Sequence, residues 1–283
     1  MAERSQSPTV RRRRLAAELR RLREAAGMTM EEAAHALDLS QATISRLEAA
    51  KTARPRPRDI RDIIALYGVT DERHREEVMD LVRGARERGW WEQYKGVFIG
   101  SYVGLEAEAS SIRTFEPLIV PGLLQTPEYT TALTRSQLVR DPAEVEQHVA
   151  ARMRRQEILA QDRPPRFWAI IDEAALLRPV GDAGARRRQL QRLIDTHSLE
   201  HVTIQIMPMS AGAHIGLGGQ FVILDFPLEA DRSVVYVETP ACNLYLEECQ
   251  HITRYDLIFQ HLCAEALGVD ASIAYLSDLI SRL

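Results

Sequence analysis

The sequence predicts an α+β protein, in which an all-helical N-terminal domain of five helices precedes a domain with a small, mostly antiparallel sheet flanked by helices. Three observations lead to this fold class. Apolar residues recur at helical spacing in the first quarter of the chain, strand-like apolar runs cluster in its middle, and helical patterns return at its end. The length of 283 residues agrees with about two domains.

The first two helices carry boundary signals. An apolar stripe at i, i+4, i+7 and i+11 predicts the first helix, and Gly27 follows its last turn, where a glycine often ends a helix. Thr29 begins the second helix because Glu32, three residues later, completes a capping box. The stripe consists of Leu15, Leu19, Leu22 and Ala26, and the second helix buries Ala33, Ala34 and Leu37.

A very short turn joins the second helix to a third. Asp38 is suited to this turn, since aspartate is one of the few residues besides glycine that tolerate a left-handed backbone. Ser40 caps the third helix, in which Ile44 and Leu47 face inward. Two short helices joined so tightly cannot pack as an antiparallel hairpin, and small side chains allow them to cross closely. The pattern is typical of a helix-turn-helix unit.

The third helix is therefore the candidate DNA-recognition helix. In such units the N-terminal side chains of this helix meet base edges in the major groove. Gln can bond adenine and Arg can bond guanine, each giving ~1–3 kcal/mol of discrimination, while a methyl group can contact thymine. An all-helical adaptor with a solvated polar face is the alternative. The predicted base-reading residues are Gln41, Ala42, Thr43, Ser45 and Arg46.

Beyond this helix the sequence continues through a basic loop into further predicted helices and strands. A fourth helix is predicted over Arg58–Tyr67 and a fifth over Asp71–Arg88. In the rest of the chain one helix is predicted after the Pro121–Tyr129 segment, ending at about Leu138. The other predicted helices are Leu105–Phe115, Pro142–Gln161, Gly184–Ser198, Glu247–Leu267 and Asp270–Leu283. Strands are predicted at Arg166–Asp172, Val202–Met207, Gln220–Phe226 and Ser233–Glu238. The resulting division is a flexible tail over 1–12, a helix-turn-helix domain over 13–70, a linker helix over 71–89 and an α+β regulatory and dimerisation domain over 90–283.

Charge is distributed unevenly between these domains. The formal net charge is −4, yet residues 1–66 hold 14 Arg and Lys against 9 Asp and Glu, an excess of +5 that leaves −9 on the rest. A basic head on an acidic body is expected when one domain meets phosphate and the other does not, although an unevenly solvated surface gives the same distribution.

Several other classes of protein are disfavoured. The three cysteines form no CxxC pair and no zinc-ligand spacing, which is typical of a reducing cytoplasm. No apolar run approaches the ~20 residues of a membrane span. Neither a nucleophile–base pair nor a cofactor fingerprint is visible. We therefore expect a cytoplasmic protein without membrane span, metal, cofactor or catalytic activity.

Residues 15–67 resemble the phage-repressor type of helix-turn-helix, the XRE family. The resemblance rests on Ser40-x-x-x-Ile-Ser-x-Leu-Glu48, the following Lys-Thr pair and the Arg-Pro-Arg loop. It implies that Arg23 pairs with Glu48 to hold the recognition helix against the first helix. It also implies three contacts to the DNA backbone, from Lys51, Arg54 and Arg56.

Two positions depart from that family. Met30 stands where the family often has a glutamine bonded to phosphate, and a thioether cannot supply that bond. Asp38 replaces the usual turn glycine. The fold tolerates both changes, but the phosphate contact at position 30 is not expected.

Residues 90–283 resemble the C-terminal domain found behind this helix-turn-helix in many actinobacterial regulators. The resemblance is carried by Pro121–Tyr129, Arg155-Gln156, Asp172–Leu176 and the Gly-Gly-Gln-Phe221 segment. Such regulators are associated with differentiation or antibiotic production, and are similar to antitoxin-like repressors that work with a small protein encoded next door.

These inferences predict a sequence-specific DNA-binding transcriptional regulator. A homodimer is expected, because one recognition helix spans only half a site. The second domain would dimerise and sense a small-molecule effector or a partner protein. The alternative is an antitoxin-like adaptor that binds a small partner protein and autoregulates its own operon. No ligand-binding residue is assigned, and the Arg152–Arg155 run is interpreted as a solvated helix face.

Overall fold

A computed structural model describes residues 8–94, 96–98, 101–228, 231–239 and 242–283. The chain forms two compact units, Met1–Gln93 and Tyr94–Leu283. The first unit contains α1 (Pro8–Ala25), α2 (Met30–Ala36), α3 (Gln41–Glu48), α4 (Pro57–Leu66) and α5 (Glu72–Ala85). This confirms the predicted all-helical N-terminal domain of five helices.

The local signals at the first helix ends act as predicted. Gly27 has φ +67°, so it ends α1 in the left-handed conformation. The Glu32 amide donates to Thr29 Oγ1 at 3.1 Å, and the Thr29 amide donates to Glu32 Oε2 at 2.8 Å, which completes the capping box. Asp38 takes φ +53° in the turn between α2 and α3.

Helix α1 begins earlier than the sequence predicts. Residues 8–12 are helical, whereas a flexible tail was expected to reach residue 12; residues 1–7 lie outside the described part of the chain. Pro8 suits the first helical turn, where its missing N–H would have no partner, and Val10 is 2% exposed. Burial of an apolar side chain therefore extends the helix beyond the stripe that starts at Leu15.

Helix α5 also differs from its predicted role as a linker over 71–89. It packs along α1, and Val78 and Val82 are buried in the same core as Leu19, Ile44 and Ile60. Asp71 caps it, because the His74 amide donates to Asp71 Oδ2 at 2.9 Å. The helix is thus an integral part of the first unit.

The second unit combines six strands with seven helices in the part of the chain that the structure describes. The helices are α6 (Tyr102–Glu106), α7 (Pro127–Ser136), α8 (Pro142–Gln156), α9 (Glu173–Leu177), α10 (Ala183–His197), α11 (Cys249–Glu265) and α12 (Val269–Ser281). The strands are β1 (Ser111–Glu116), β2 (Arg166–Asp172), β3 (Val202–Met207), β4 (Phe221–Asp225), β5 (Val234–Glu238) and β6 (Asn243–Leu246).

The sheet is mixed, with strand order β3-β2-β1-β4-β5-β6. The pairs β1–β2 and β2–β3 are parallel, and the other three are antiparallel. The expected α+β class is confirmed, but a mostly antiparallel sheet is wrong. Helical crossovers cause the difference: α7 and α8 lie between β1 and β2, and α9 and α10 between β2 and β3, and such crossovers produce parallel pairs.

The predicted helix over Leu105–Phe115 is also wrong. α6 ends at Glu106, and β1 occupies the centre of the sheet. Arg113 interrupts the apolar pattern of this strand, and its charge is balanced by Asp225 at 3.0 Å and Asp256 at 2.8 Å. These partners are distant in sequence, so the local pattern does not show that an arginine fits a central strand.

The core of the second unit lies between the sheet and α11. Phe115, Ile170 and Phe221 project from three neighbouring strands against Phe259 and Leu262 of the helix. No single helix among the described residues is long and apolar enough to cross a membrane; the bent pair α11 and α12 could do so by length and composition only.

Candidate nucleic-acid interface and a cavity in the second unit

The outer face of α3 is polar and open. Ile44 and Leu47 are 1% and 7% exposed, which fixes the rotation of the helix on the core of the first unit. The remaining side chains of the first two turns point away from that core. The exposed side chains on this face are those of Gln41, Ala42, Ser45 and Arg46.

Thr43 differs from the other four predicted base-reading residues. It is half-buried, and its hydroxyl lies 2.8 Å from the Ser40 hydroxyl. Its amide also donates to Ser40 Oγ at 3.2 Å, which forms the N-cap of α3. Thr43 therefore helps to build the start of the helix, and a base contact from it would compete with the bond to Ser40.

A bidentate ion pair holds α3 against α1. Arg23 donates from Nε to Glu48 Oε1 at 2.7 Å and from Nη2 to Oε2 at 2.9 Å, and the two side chains are 10% and 3% exposed. A third bond runs from Arg23 Nη1 to the Met28 carbonyl at 2.7 Å. The bond to Glu48 raises the pKa of Arg23 further above its already high value. The two residues that the family resemblance pairs are in contact.

Three cations stand on the loop between α3 and α4. Lys51, Arg54 and Arg56 are exposed, and none of them is bonded to a carboxylate of the described residues. The loop itself is anchored, because Pro55 is buried and Arg86 donates to its carbonyl at 2.9 Å. A held loop with unpaired cations is an arrangement that can bind phosphate.

Met30 lies at the first position of α2, partly buried against the hydrophobic core of the first unit. It contributes apolar packing at the place where a polar residue would reach a phosphate.

A short turn, a capped and anchored α3 and free cations on the next loop define a helix-turn-helix DNA-binding protein. Comparison with protein families agrees, since residues 14–77 match a helix-turn-helix domain. Residues 99–278 match the domain of unknown function DUF5753. Because that match spans more than half of the chain, the protein belongs to the DUF5753 family. Comparison with curated proteins and with solved structures found no match.

The second unit contains a cavity of about 500 Å³ beside the carboxyl end of β1. Its walls come from α6, α7 and α8, from the loop after β1, and from the ends of β4 and β5. Gly122, Gln125, Arg155 and Gln220, which lie in three of the segments that carry the resemblance of this domain, meet in its lining. No motif in these segments predicts a ligand site from the sequence.

The interpretation of Arg152–Arg155 as a solvated helix face is wrong for two of its members. Arg154 is exposed, but Arg152 and Arg155 line the cavity. They follow the buried Val145 at helical spacing, so the 3.6-residue period of α8 could have placed them on its inner face.

Two other sequence features of the second unit have local structural roles. Asp172 caps α9, since the Ala174 amide donates to Asp172 Oδ1 at 2.8 Å. Glu173 accepts from the Met209 amide at 2.7 Å and from the Tyr275 hydroxyl at 2.8 Å. Asp172 and Glu173 thus connect the start of α9 with the loop after β3 and with α12.

Proposed function

We propose that the protein is a sequence-specific transcriptional regulator that binds operator DNA as a homodimer. The observation that carries this proposal is the outer face of α3, where Gln41, Ser45 and Arg46 are exposed on a helix held rigidly by Arg23 and Glu48. Side chains fixed in this way can read base edges with little loss of conformational freedom on binding.

The length of α3 supports a dimer. Its eight residues extend over about 12 Å, enough for part of one major groove. Regulators of this kind usually join two heads that read half-sites about 34 Å apart. The second unit, which forms its own core, would provide the dimer contact and receive the signal that controls DNA binding.

The test of base reading uses full-length protein and a DNA site selected from a random library by the wild type. The variant Gln41→Ala with Arg46→Ala should lose at least tenfold of its preference for this site over unrelated DNA, because two bidentate base contacts are removed. Arg73→Ala removes one positive charge from the exposed face of α5 and is the matched control. An unchanged preference in the double variant would refute the assignment of α3.

The loop cations are tested by salt dependence. Arg54→Ala with Arg56→Ala should weaken binding to selected and unrelated DNA alike, and should reduce the slope of log affinity against log salt by about 2, or ~0.9 for each phosphate contact. Loss of preference without a change in slope would mean that these side chains read bases and do not contact the backbone.

A further inference from the structure

The cavity of the second unit contains a cation without a protein partner. Arg152 lines it and makes no hydrogen bond or ion pair with the residues that the structure describes. Burial, and to a smaller extent the neighbouring Arg155, lower the pKa of Arg152 to about 10, while the charges of Glu106 and Glu238 act in the opposite direction. Removing a guanidinium from water without a counter-charge is costly, and a bound anion would offset that cost.

Arg155, one turn further along α8, has a carboxylate partner in the same cavity. Arg155 pairs with Glu106 through both Nε and Nη2, and its guanidinium lies 4.9 Å from the centre of the Tyr102 ring. The Tyr102 hydroxyl also donates to Glu106 at 2.8 Å. Glu106 is thus fully engaged, which leaves Arg152 as the available guanidinium in the cavity lining.

A second unmatched polar atom lines the same cavity. Glu116 accepts from the Thr114 hydroxyl on Oε1 at 3.3 Å, whereas its buried Oε2 has no hydrogen-bond partner among the described residues. The pKa of Glu116 is raised to about 8, mainly by burial and in smaller part by the charge of Glu238 on β5. The Thr114 bond and the charges of Arg155 and Arg152 act in the opposite direction. At neutral pH the carboxyl is therefore mostly protonated, and Oε2 can donate its proton.

The remaining lining mixes polar side chains, among them Glu238, with an apolar wall. Aromatic rings of Tyr102 and Tyr236 lie 4.2 Å apart between their centres, and Phe221 and Leu133 contribute further apolar surface. The volume of about 500 Å³ falls within the range of pockets that take small organic molecules. Convergent polar groups beside an apolar wall are a usual composition of such sites.

The cavity also lies where the sheet topology favours a ligand. From β1 the chain moves to β2 and β3 on one side, and later returns to place β4 on the other side. Because β4 is antiparallel to β1, the carboxyl end of β1 and the start of β4 meet at the same edge of the sheet, beside the cavity. Glu116 is the last residue of β1, and Phe221 is the first of β4.

We propose that this cavity binds a small organic acid, with its carboxylate held by Arg152 and Glu116 and its apolar body against the aromatic wall. The proposal goes beyond the proposed function, and its test uses no DNA. A failure to bind acids therefore leaves the regulatory assignment untouched, and a failure of operator binding leaves this site untouched.

The test is calorimetric titration of the full-length protein with phenylacetate, 3-phenylpropionate and indole-3-acetate, each compared with its neutral amide. At least one acid should bind at least tenfold more tightly than its amide. Arg152→Gln should remove this difference, while Arg154→Gln, on the exposed face of α8, should keep it. Equal affinity for acid and amide, unchanged binding by Arg152→Gln, or no binding of any of the three acids at millimolar concentration would overturn the proposal.

Two further variants keep the test decisive if Arg152→Gln does not fold. A Cβ at Gly122 would lie 2.3 Å from Arg152 Nη1, so Gly122→Ala displaces the guanidinium but keeps its charge, and should also weaken acid binding. Glu116→Gln keeps a donor at the site. Acid binding by the wild type should weaken from pH 7 to pH 9, because Glu116 ionises over this range, whereas acid binding by Glu116→Gln should not weaken. The charged and titratable groups that face Glu116 are Glu238, Arg155, Arg152, Tyr129 and His148. Unchanged acid affinity in Gly122→Ala, or the same pH profile in both proteins, would contradict the assigned roles.

Discussion

The ion pair between Arg23 and Glu48 gives a sharp prediction about the stability of the first unit. Glu48→Ala leaves a guanidinium that is 10% exposed, with one hydrogen bond to the Met28 carbonyl and the exposed Glu24 carboxylate at 3.8 Å. Removing one partner of a buried pair costs about 3–5 kcal/mol, because the other charge stays buried without compensation. The bond to Met28 is retained, so we expect the lower end of that range, about 3 kcal/mol.

Hydrogen exchange followed by mass spectrometry measures this in the full-length protein. Backbone amides of α1 and α3 that exchange through global opening of the first unit should exchange about 100-fold faster in Glu48→Ala, since 1.4 kcal/mol corresponds to a factor of ten. Peptides of the sheet should be unaffected. Glu77→Ala is the matched control, because Glu77 pairs with Arg73 at 3.2 Å in an exposed position away from Arg23 and should change nothing measurable.

A double variant separates loss of the pair from loss of packing. Arg23→Met with Glu48→Leu replaces both charges by apolar side chains of similar size, which often recovers much of the stability of a buried pair. Exchange rates close to those of the wild type would support this account. The reasoning would be refuted by wild-type exchange in Glu48→Ala, or by an equally large effect of Glu77→Ala.

Two other predictions concern single positions. The pKa of Glu116 is about 8 in the fold and 4.5 as a free group, so its contribution to stability is complete below pH 4.5 and is lost as the pH rises towards 8. Between pH 5 and pH 8 the free energy of unfolding of the wild type should fall by on the order of 3 kcal/mol relative to that of Glu116→Gln, as measured by urea unfolding followed by circular dichroism. Parallel curves for the two proteins would contradict the assigned burial. Ala50, which follows α3, has φ +55°, so Ala50→Gly should stabilise the first unit by about 1 kcal/mol. Ala49 has φ −96°, so Ala49→Gly should destabilise the unit. A change of stability with the same sign in both variants would refute the argument from backbone strain.

The parts of the structure that could be predicted from the sequence are those fixed by local chemistry. The turn between α2 and α3 depends on Asp38 and on the cap at Ser40, which are close in sequence to the helices that they join. The bounds of β2 and β3 were predicted correctly because both strands are short apolar runs bounded by polar residues and turns.

The parts that could not be predicted depend on distant partners. β1 contains Arg113, whose counter-charges come from residues more than one hundred positions later. The inward direction of Arg155 requires Glu106, on a helix that precedes the sheet. The cavity is built from several separated segments, and no single stretch of sequence contains its pattern of donors and apolar walls.

The position of β1 in the sheet also sets the order in which the protein can be completed during synthesis. All helices of the first unit are present once the ribosome has passed residue 93, but β1 gains its second neighbour only when β4 has been made, at residue 225. At ~5–20 residues per second, this interval lasts on the order of ten seconds. During that time the nascent chain carries a complete DNA-binding head and no cavity. On the proposed function, the first unit of a newly made molecule can therefore fold before the second unit is able to supply a dimer contact or bind a ligand.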